Sequence, residues 1–153
     1  MAKFHDITVK NVYKETNDCT VIEFDVPENL KEDFKYSQGQ HLTLKKDFNG
    51  EDVRRSYSLC SSPVENKWRV AVKKIPTGKF STFVNEELQA GDHLEVMVPS
   101  GKFGVEVFSE VAKNYIVFAA GSGITPIISM IKTHLAMEPE SKFQLFYLNK
   151  NAK

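Results

Sequence analysis

The chain changes its hydrophobic period near residue 112, and that change limits what it can fold into more than any other feature. Before it, apolar and polar residues alternate in short runs. In "TVIEFDV", Ile22, Phe24 and Val26 alternate with Glu23 and Asp25. In "KWRVAVKK", Trp68, Val70 and Val72 take one face and Arg69, Ala71 and Lys73 the other. In "HLEVMV", Leu94, Val96 and Val98 point inward. A period of two belongs to half-buried strands. "HLTLKK" and "RRSYS" add further strands, with turn signals at "DFNGED", "SSPVEN", "PTGK", "AGD" and "PSGKFG". "FSTFVNEEL" is a single short helical stretch. About six short strands of this kind fold as an antiparallel barrel or sandwich. After residue 112, "NYIVFAAG" and "KFQLFYL" are continuous apolar runs, the pattern of strands buried on both faces. Between them Ile127, Ile131 and Leu135 recur every four residues, and Ile124 and Ile128 extend that face. Thr125 and Pro126 fit an N-cap and a first helical position. Strand, helix, strand implies a parallel pair.

The expected fold class is therefore an all-β antiparallel barrel over residues 1–111, followed by an incomplete α/β unit over residues 112–153. An open parallel sheet ordinarily has more strands, with helices on both faces. The second part reads as the N-terminal fragment of a larger domain, and the chain as truncated. An incomplete unit of this kind predicts either a homodimer through its bare apolar face or partial disorder beyond about residue 112.

Charge and composition exclude several functions. Twenty basic residues balance twenty acidic ones, so no global field draws the chain to nucleic acid or an anionic membrane. No apolar run approaches the roughly 18 residues a membrane helix needs. "MAKFHDITVK" has no apolar signal core, and a cytoplasmic setting is expected. Cys19 and Cys60 make no disulfide framework, and no Cys/His spacing suggests a metal site. His5, His41, His93 and His134 are scattered and read as structural or surface residues.

Three motifs carry chemistry. "RRSYS" places Arg55 and Tyr57 on one side of a strand and Ser56 and Ser58 on the other. Arg offers a planar fork to a phosphate, Tyr a ring to cover a flat cofactor, and Ser a hydroxyl to a ring nitrogen. A polar strand face is the plain alternative. "VKKIPTGKFS" ends a strand, turns at Gly78 and opens a helix near Ser81, whose N-terminus suits a phosphate. A routine β-to-α turn with a Ser cap is its alternative. "AAGSGITP" runs a strand into Gly121 and Gly123 and then into a helix, an arrangement that admits a pyrophosphate.

Taken in order, these motifs resemble those of the ferredoxin–NADP⁺ reductase superfamily. Its R-x-Y-S/T is matched by Arg55-Ser56-Tyr57-Ser58, its V-K…G-x-x-S by Val72-Lys73 and Gly78-Lys79-Phe80-Ser81, and its G-x-G-x-x-P by Gly121-Ser122-Gly123-Ile124-Thr125-Pro126. "YSQGQHLTL" also looks like one of its barrel strands. Within the superfamily, "RRSYSLCSSP" and "EPESKFQLFYLN" are most similar to reductases of multicomponent oxygenases, nearest to the phenylacetyl-CoA epoxidase type.

The resemblance implies a flavin barrel that binds FAD and a following domain that binds NADPH or NADH. Electrons would pass from NAD(P)H through FAD to an iron–sulfur centre that feeds an oxygenase component in aromatic (phenylacetate) catabolism. By the same resemblance Arg55 holds the pyrophosphate and Tyr57 lies along the ribityl chain and ring. Ser58 assists hydride arrival; Ser56, Val72 and Lys73 add contacts. Gly78, Lys79, Phe80 and Ser81 take the phosphate, and Gly121, Ser122, Gly123, Thr125 and Pro126 the dinucleotide, with Thr125 also near FAD. Tyr57 and Ser58 are the expected catalytic residues. A [2Fe–2S] domain belongs only to a longer parent chain, and this chain alone is expected not to turn over pyridine nucleotide efficiently. "YLNKN" stands where relatives often read "YGNR", so the choice of dinucleotide stays open. The competing reading is a non-enzymatic barrel that binds a ligand or nucleic acid, with an oligomerising β-α-β unit.

Overall fold

The computed structural model describes residues 3–150. Six strands form one antiparallel sheet: β1 (Phe4–Thr16), β2 (Cys19–Asp25), β3 (His41–Phe48), β4 (Glu51–Ser58), β5 (Trp68–Lys73) and β6 (His93–Met97). Their order is β4-β3-β6-β1-β2-β5. The sheet curls along β1, which bulges bend. Phe4–Thr8 pairs with β6, while Thr8–Thr16 pairs with β2 through register shifts between Val9 and Asn11 and between Lys14 and Thr16. Asn49 and Gly50, both at positive φ, join Phe48 to its partner Glu51 in a two-residue hairpin whose twist matches the strands.

The curl is barrel-like but not closed. The edge strands β4 and β5 meet only where they converge, through the bridge Leu59–Val70 and the Cys60 N–H on the Arg69 carbonyl at 2.9 Å. Helix α1 (Lys79–Glu86) fills the gap beyond that junction. Its Phe80, Phe83 and Val84 enter the core beside Ile7, Ile22, Phe24, Leu42, Leu44, Val70, Val72 and Val96. Trp68 is core, as expected, with its indole N–H on the Phe34 carbonyl at 2.8 Å.

The alternation read from β5 and β6 holds, but β2 departs from it. Val21 and Glu23 are buried along with Ile22 and Phe24. Glu23 lies on the outer face, where Arg69 Nε reaches Oε2 at 2.6 Å and Lys10 Nζ approaches Oε1 at 3.6 Å. Paired cations let a carboxylate occupy a covered site.

The second unit is β7 (Asn114–Ala120), a turn at Gly121–Gly123, α2 (Ile124–Met137) and β8 (Lys142–Leu148), with β7 and β8 parallel and in register. Two expectations are corrected here. Neither strand is buried on both faces: α2 covers one side, and Ile116 and Phe118 on the other are 64% and 69% exposed. The buried face of α2 is not the isoleucine stripe but Pro126, Ser129, Met130, Thr133 and His134. Polar contacts with the barrel decide which face turns in. Ser129 Oγ donates to the Ser61 carbonyl at 2.6 Å, and Ser62 and Thr133 hydroxyls meet at 2.8 Å. Leu135 is left exposed.

Candidate functional site

Strand β4 pairs with β3 without a break, so its alternation is strict. Val53, Arg55, Tyr57 and Leu59 share the inner face; Ser56 and Ser58 share the outer one. The inner face is buried at both ends and opens between them: Val53 and Leu59 are buried, Tyr57 is half-buried and Arg55 is exposed. Arg55 bonds only the carbonyl of Arg54, at 2.6 Å, among the described residues. Burial pushes the Tyr57 phenol up and the neighbouring Arg55 guanidinium opposes it. Ser56 is spoken for by Thr43, hydroxyl to hydroxyl at 2.8 Å.

The second motif closes on the first. The Phe80 ring lies 6.0 Å from Tyr57, and Lys79 forms an ion pair with Glu51 at the start of β4. The N-terminus of α1 therefore sits along the same strand as Arg55 and Tyr57. Gly78, the N-cap, offers no side-chain cap, so the first N–H groups of α1 stay available. A Cβ on Gly78 would lie 2.5 Å from both Ile75 Cγ1 and Ser81 Oγ, so a larger residue here would displace one of those side chains. The expectation of a helix start and cap at Ser81 is corrected. The helix begins at Lys79, and the buried Ser81 hydroxyl accepts the Ile75 N–H and donates to the Gly78 carbonyl, both at 3.2 Å. Val72 and Phe80 are core side chains, which leaves them only backbone to offer a ligand.

The third motif lines a separate cleft of about 900 Å³. Gly121, Ser122 and Thr125 form one wall with Ile128, Lys132 and Tyr147; Tyr13, Cys60, Arg69 and Lys73 form the barrel wall. Lys73 also approaches Asp18 at 3.5 Å. Thr125 is the second helical residue, not the N-cap, and Pro126 is the third and buried. The Gly121–Gly123 turn starts the coil early, and the Thr125 hydroxyl donates back to the Ser122 carbonyl at 3.0 Å. Gly121 at positive φ accepts the Tyr147 hydroxyl at 3.0 Å. Arg55, Tyr57, Ser58 and Gly78–Ser81 lie outside this cleft. Cys60, two residues beyond β4, links the two regions. Of the "YLNKN" stretch, Asn149 and Lys150 line the cleft, while Asn151 lies outside the described residues.

Apart from Lys73, the barrel-side wall was not read from the sequence. Tyr13 and Arg69 look like ordinary outward strand residues, and only the strand order brings them together. The faint signal was "TNDCT", the tip of a hairpin long enough to overhang β5.

An exposed guanidinium, a half-buried phenol, an outward hydroxyl and an uncapped helix start, strung along an open barrel seam, suit an elongated anionic cofactor with a planar end. That is the chemistry of a flavin dinucleotide. The chain belongs to the oxidoreductase FAD-binding domain family, whose model matches residues 6–105. It is 46% identical over 153 residues to a component of the 1,2-phenylacetyl-CoA epoxidase of Escherichia coli (strain K12), covering all of this chain and 43% of that protein. It is 38% identical over 150 residues to the ferredoxin reductase component of 3-ketosteroid-9-alpha-monooxygenase of Rhodococcus rhodochrous, covering 96% of this chain and 41% of that one. Among solved structures it is similar to phthalate dioxygenase reductase, at 29% identity and TM-score 0.77, covering 97% of this chain and 44% of that one. The chain thus spans about two fifths of the length of the curated relatives it matches. Among the described residues, no helix is long and apolar enough to cross a membrane.

Proposed function

We propose that this chain supplies the FAD-binding part of an NAD(P)H-dependent reductase that feeds an oxygenase of the phenylacetyl-CoA epoxidase type, through an iron–sulfur centre on a longer chain. The observation that carries the reading is the convergence of two distant motifs on β4, through Tyr57–Phe80 and Glu51–Lys79. Bound FAD takes up a hydride equivalent and gives it out as single electrons. The protein's own part is to hold and orient. Arg55 and the N–H groups of Lys79, Phe80 and Ser81 bind the pyrophosphate, with Lys79 adding charge once released from Glu51. Tyr57, braced from behind by Phe80, backs the ribityl chain and ring. Ser58 presents its hydroxyl to the reactive end. Lys73 and the Gly121–Thr125 turn receive NADPH or NADH in the cleft. On this reading the flavin domain ends near residue 111, the protein works in the cytoplasm, and two copies associate through the bare face of β7 and β8.

The test is the visible absorption spectrum of the purified chain after FAD addition and desalting. Retained flavin that is lost in Arg55→Ala and Tyr57→Ala is the expected result. A folded chain that retains none, or variants that retain it fully, would remove the assignment.

A further inference from the structure

One buried polar side chain on α1 has no part in the site as described. Asn85, near the end of that helix, is 8% exposed. Its Nδ2 donates to the Val72 carbonyl at 3.0 Å and to the Ser81 carbonyl at 2.9 Å. Its Oδ1 accepts the Thr20 hydroxyl at 2.9 Å and the Lys14 ammonium at 3.0 Å. Carbonyl oxygens only accept, so the amide has one orientation and both of its ends are engaged.

Val72 is the last inward residue of β5, and Ser81 lies in the first turn of α1. The amide therefore spans the base of the turn between them, the turn that carries the phosphate motif. The backbone inside that turn is strained. Among the described residues, the non-glycine residues at positive φ are Asn49, Asn66 and Thr77. Asparagine tolerates that region, but a β-branched residue does not, and Thr77 sits there at φ 61°. Strain of this kind persists only where the surroundings over-determine it. The Thr77 hydroxyl does not supply that hold, since it donates only to the adjacent Pro76 carbonyl, at 2.6 Å. The Ser81 hydroxyl and the Gly78 N–H bond within the turn itself, and the Lys74 N–H on the Asp18 carbonyl ties only its entry. Asn85 joins entry to exit and anchors both to β1 and β2 through Lys14 and Thr20.

We propose that Asn85 is the positioning residue for the cofactor's pyrophosphate; this rests on the pyrophosphate placement given above. By fixing the separation of Val72 and Ser81 it keeps Thr77 in a conformation that residue would otherwise leave. The N–H groups of Lys79, Phe80 and Ser81 then stand ready for phosphate oxygens before any ligand arrives. A turn that relaxes must be reset on binding, and the apparent affinity falls by the fraction of chains still competent. The effect is confined to ligands that carry phosphate. Riboflavin, which has the ring and ribityl chain and no phosphate, does not draw on the turn.

The dissociation constants of FAD and riboflavin for the purified chain are measured by quenching of flavin fluorescence. The parent is expected to bind FAD the more tightly. Asn85→Asp keeps the side chain's size and its acceptors for Thr20 and Lys14, and turns both donors into acceptors. It should weaken FAD on the order of tenfold, the scale of one strained residue left to relax, and riboflavin by less than about twofold. Thr77→Gly removes the strain, so adding Asn85→Asp to it should cost clearly less FAD affinity than in the parent. Parent FAD affinity in Asn85→Asp, or equal losses of FAD and riboflavin, overturns the positioning role. The same loss in both backgrounds overturns the part assigned to Thr77. A parent with no preference for FAD over riboflavin removes the pyrophosphate placement itself. Should Asn85→Asp not fold, Thr20→Val loosens the amide from its far side without touching the turn. A smaller loss for FAD alone supports the role, and an unchanged FAD affinity overturns it.

Discussion

Burial raises the Cys60 thiol from its ordinary 9.0 to about 11, with Lys132 the largest opposing charge. That is about 100-fold less thiolate at neutral pH, and the thiolate is the reactive form. Native Cys60 should therefore react with a thiol reagent at neutral pH about 100-fold more slowly than the unfolded chain. Rapid labelling, located at Cys60 by mass spectrometry, would mean a more open cleft wall. Reading the sequence assigned Cys60 neither a disulfide nor a metal role and missed its place in the cleft. Arg55, Tyr57 and Ser58 were readable because strand alternation is a local rule. Ser81 was not, since the Gly78 turn claims its hydroxyl, and that turn depends on how β5 hands over to α1.

At the scale of elements, α2 shows why a hydrophobic stripe did not predict the buried face. Four buried hydroxyl residues, Ser61, Ser62, Ser129 and Thr133, join it to the end of β4, and directional bonds of this kind select one rotation of the helix. Thr133 donates to the Ser129 carbonyl at 2.6 Å, so Ser62 is the donor in the Ser62–Thr133 pair. Thr133→Val should cost about 1–3 kcal/mol by leaving a buried donor without its acceptor. Thr133→Ser should cost much less. Urea melts of both variants check the difference, and equal stabilities would show that shape alone seats the helix. The far end of α2 is held by Glu138. Burial raises its carboxyl, but the Phe108 N–H and the Ser141 and Tyr115 hydroxyls outweigh that and hold it below the ordinary 4.5. A depressed carboxylate stabilises the fold fully above its unfolded value and loses that contribution as pH falls through the folded one. Stability should therefore decline below about pH 4.5 more steeply in the parent than in Glu138→Gln, measured by denaturant melts across that range. Matching slopes would mean the carboxylate is not ionised in this cluster. Nothing in the sequence singled out Glu138, because two of its three partners, Phe108 and Tyr115, lie 30 and 23 residues away in the chain.

Across the whole molecule, burial is divided unequally. The barrel encloses nearly all of the apolar core, from Ile7 to Val96, whereas the β-α-β unit covers only the helix side of its two strands. The change of period near residue 112 announced two kinds of sheet and their parallel and antiparallel pairings. It overstated burial after that point, because a continuous apolar run reports what a strand is built to touch, not what lies against it. On the bare side, Phe118 stacks on Phe146 at 5.0 Å, flanked by Ile116 and Leu148, all exposed, next to strand edges with unpaired main-chain groups. Contiguous apolar surface beside an open edge favours association. Because the face includes residues of both β7 and β8, a second copy can cover it without disturbing the barrel seam. Sedimentation should show a dimer at tens of micromolar, and Phe118→Asp should return a monomer that still retains FAD. A parent chain that sediments as a monomer at that concentration rules out the dimer. A variant that loses FAD together with the dimer would instead make the bare face part of the flavin site's support.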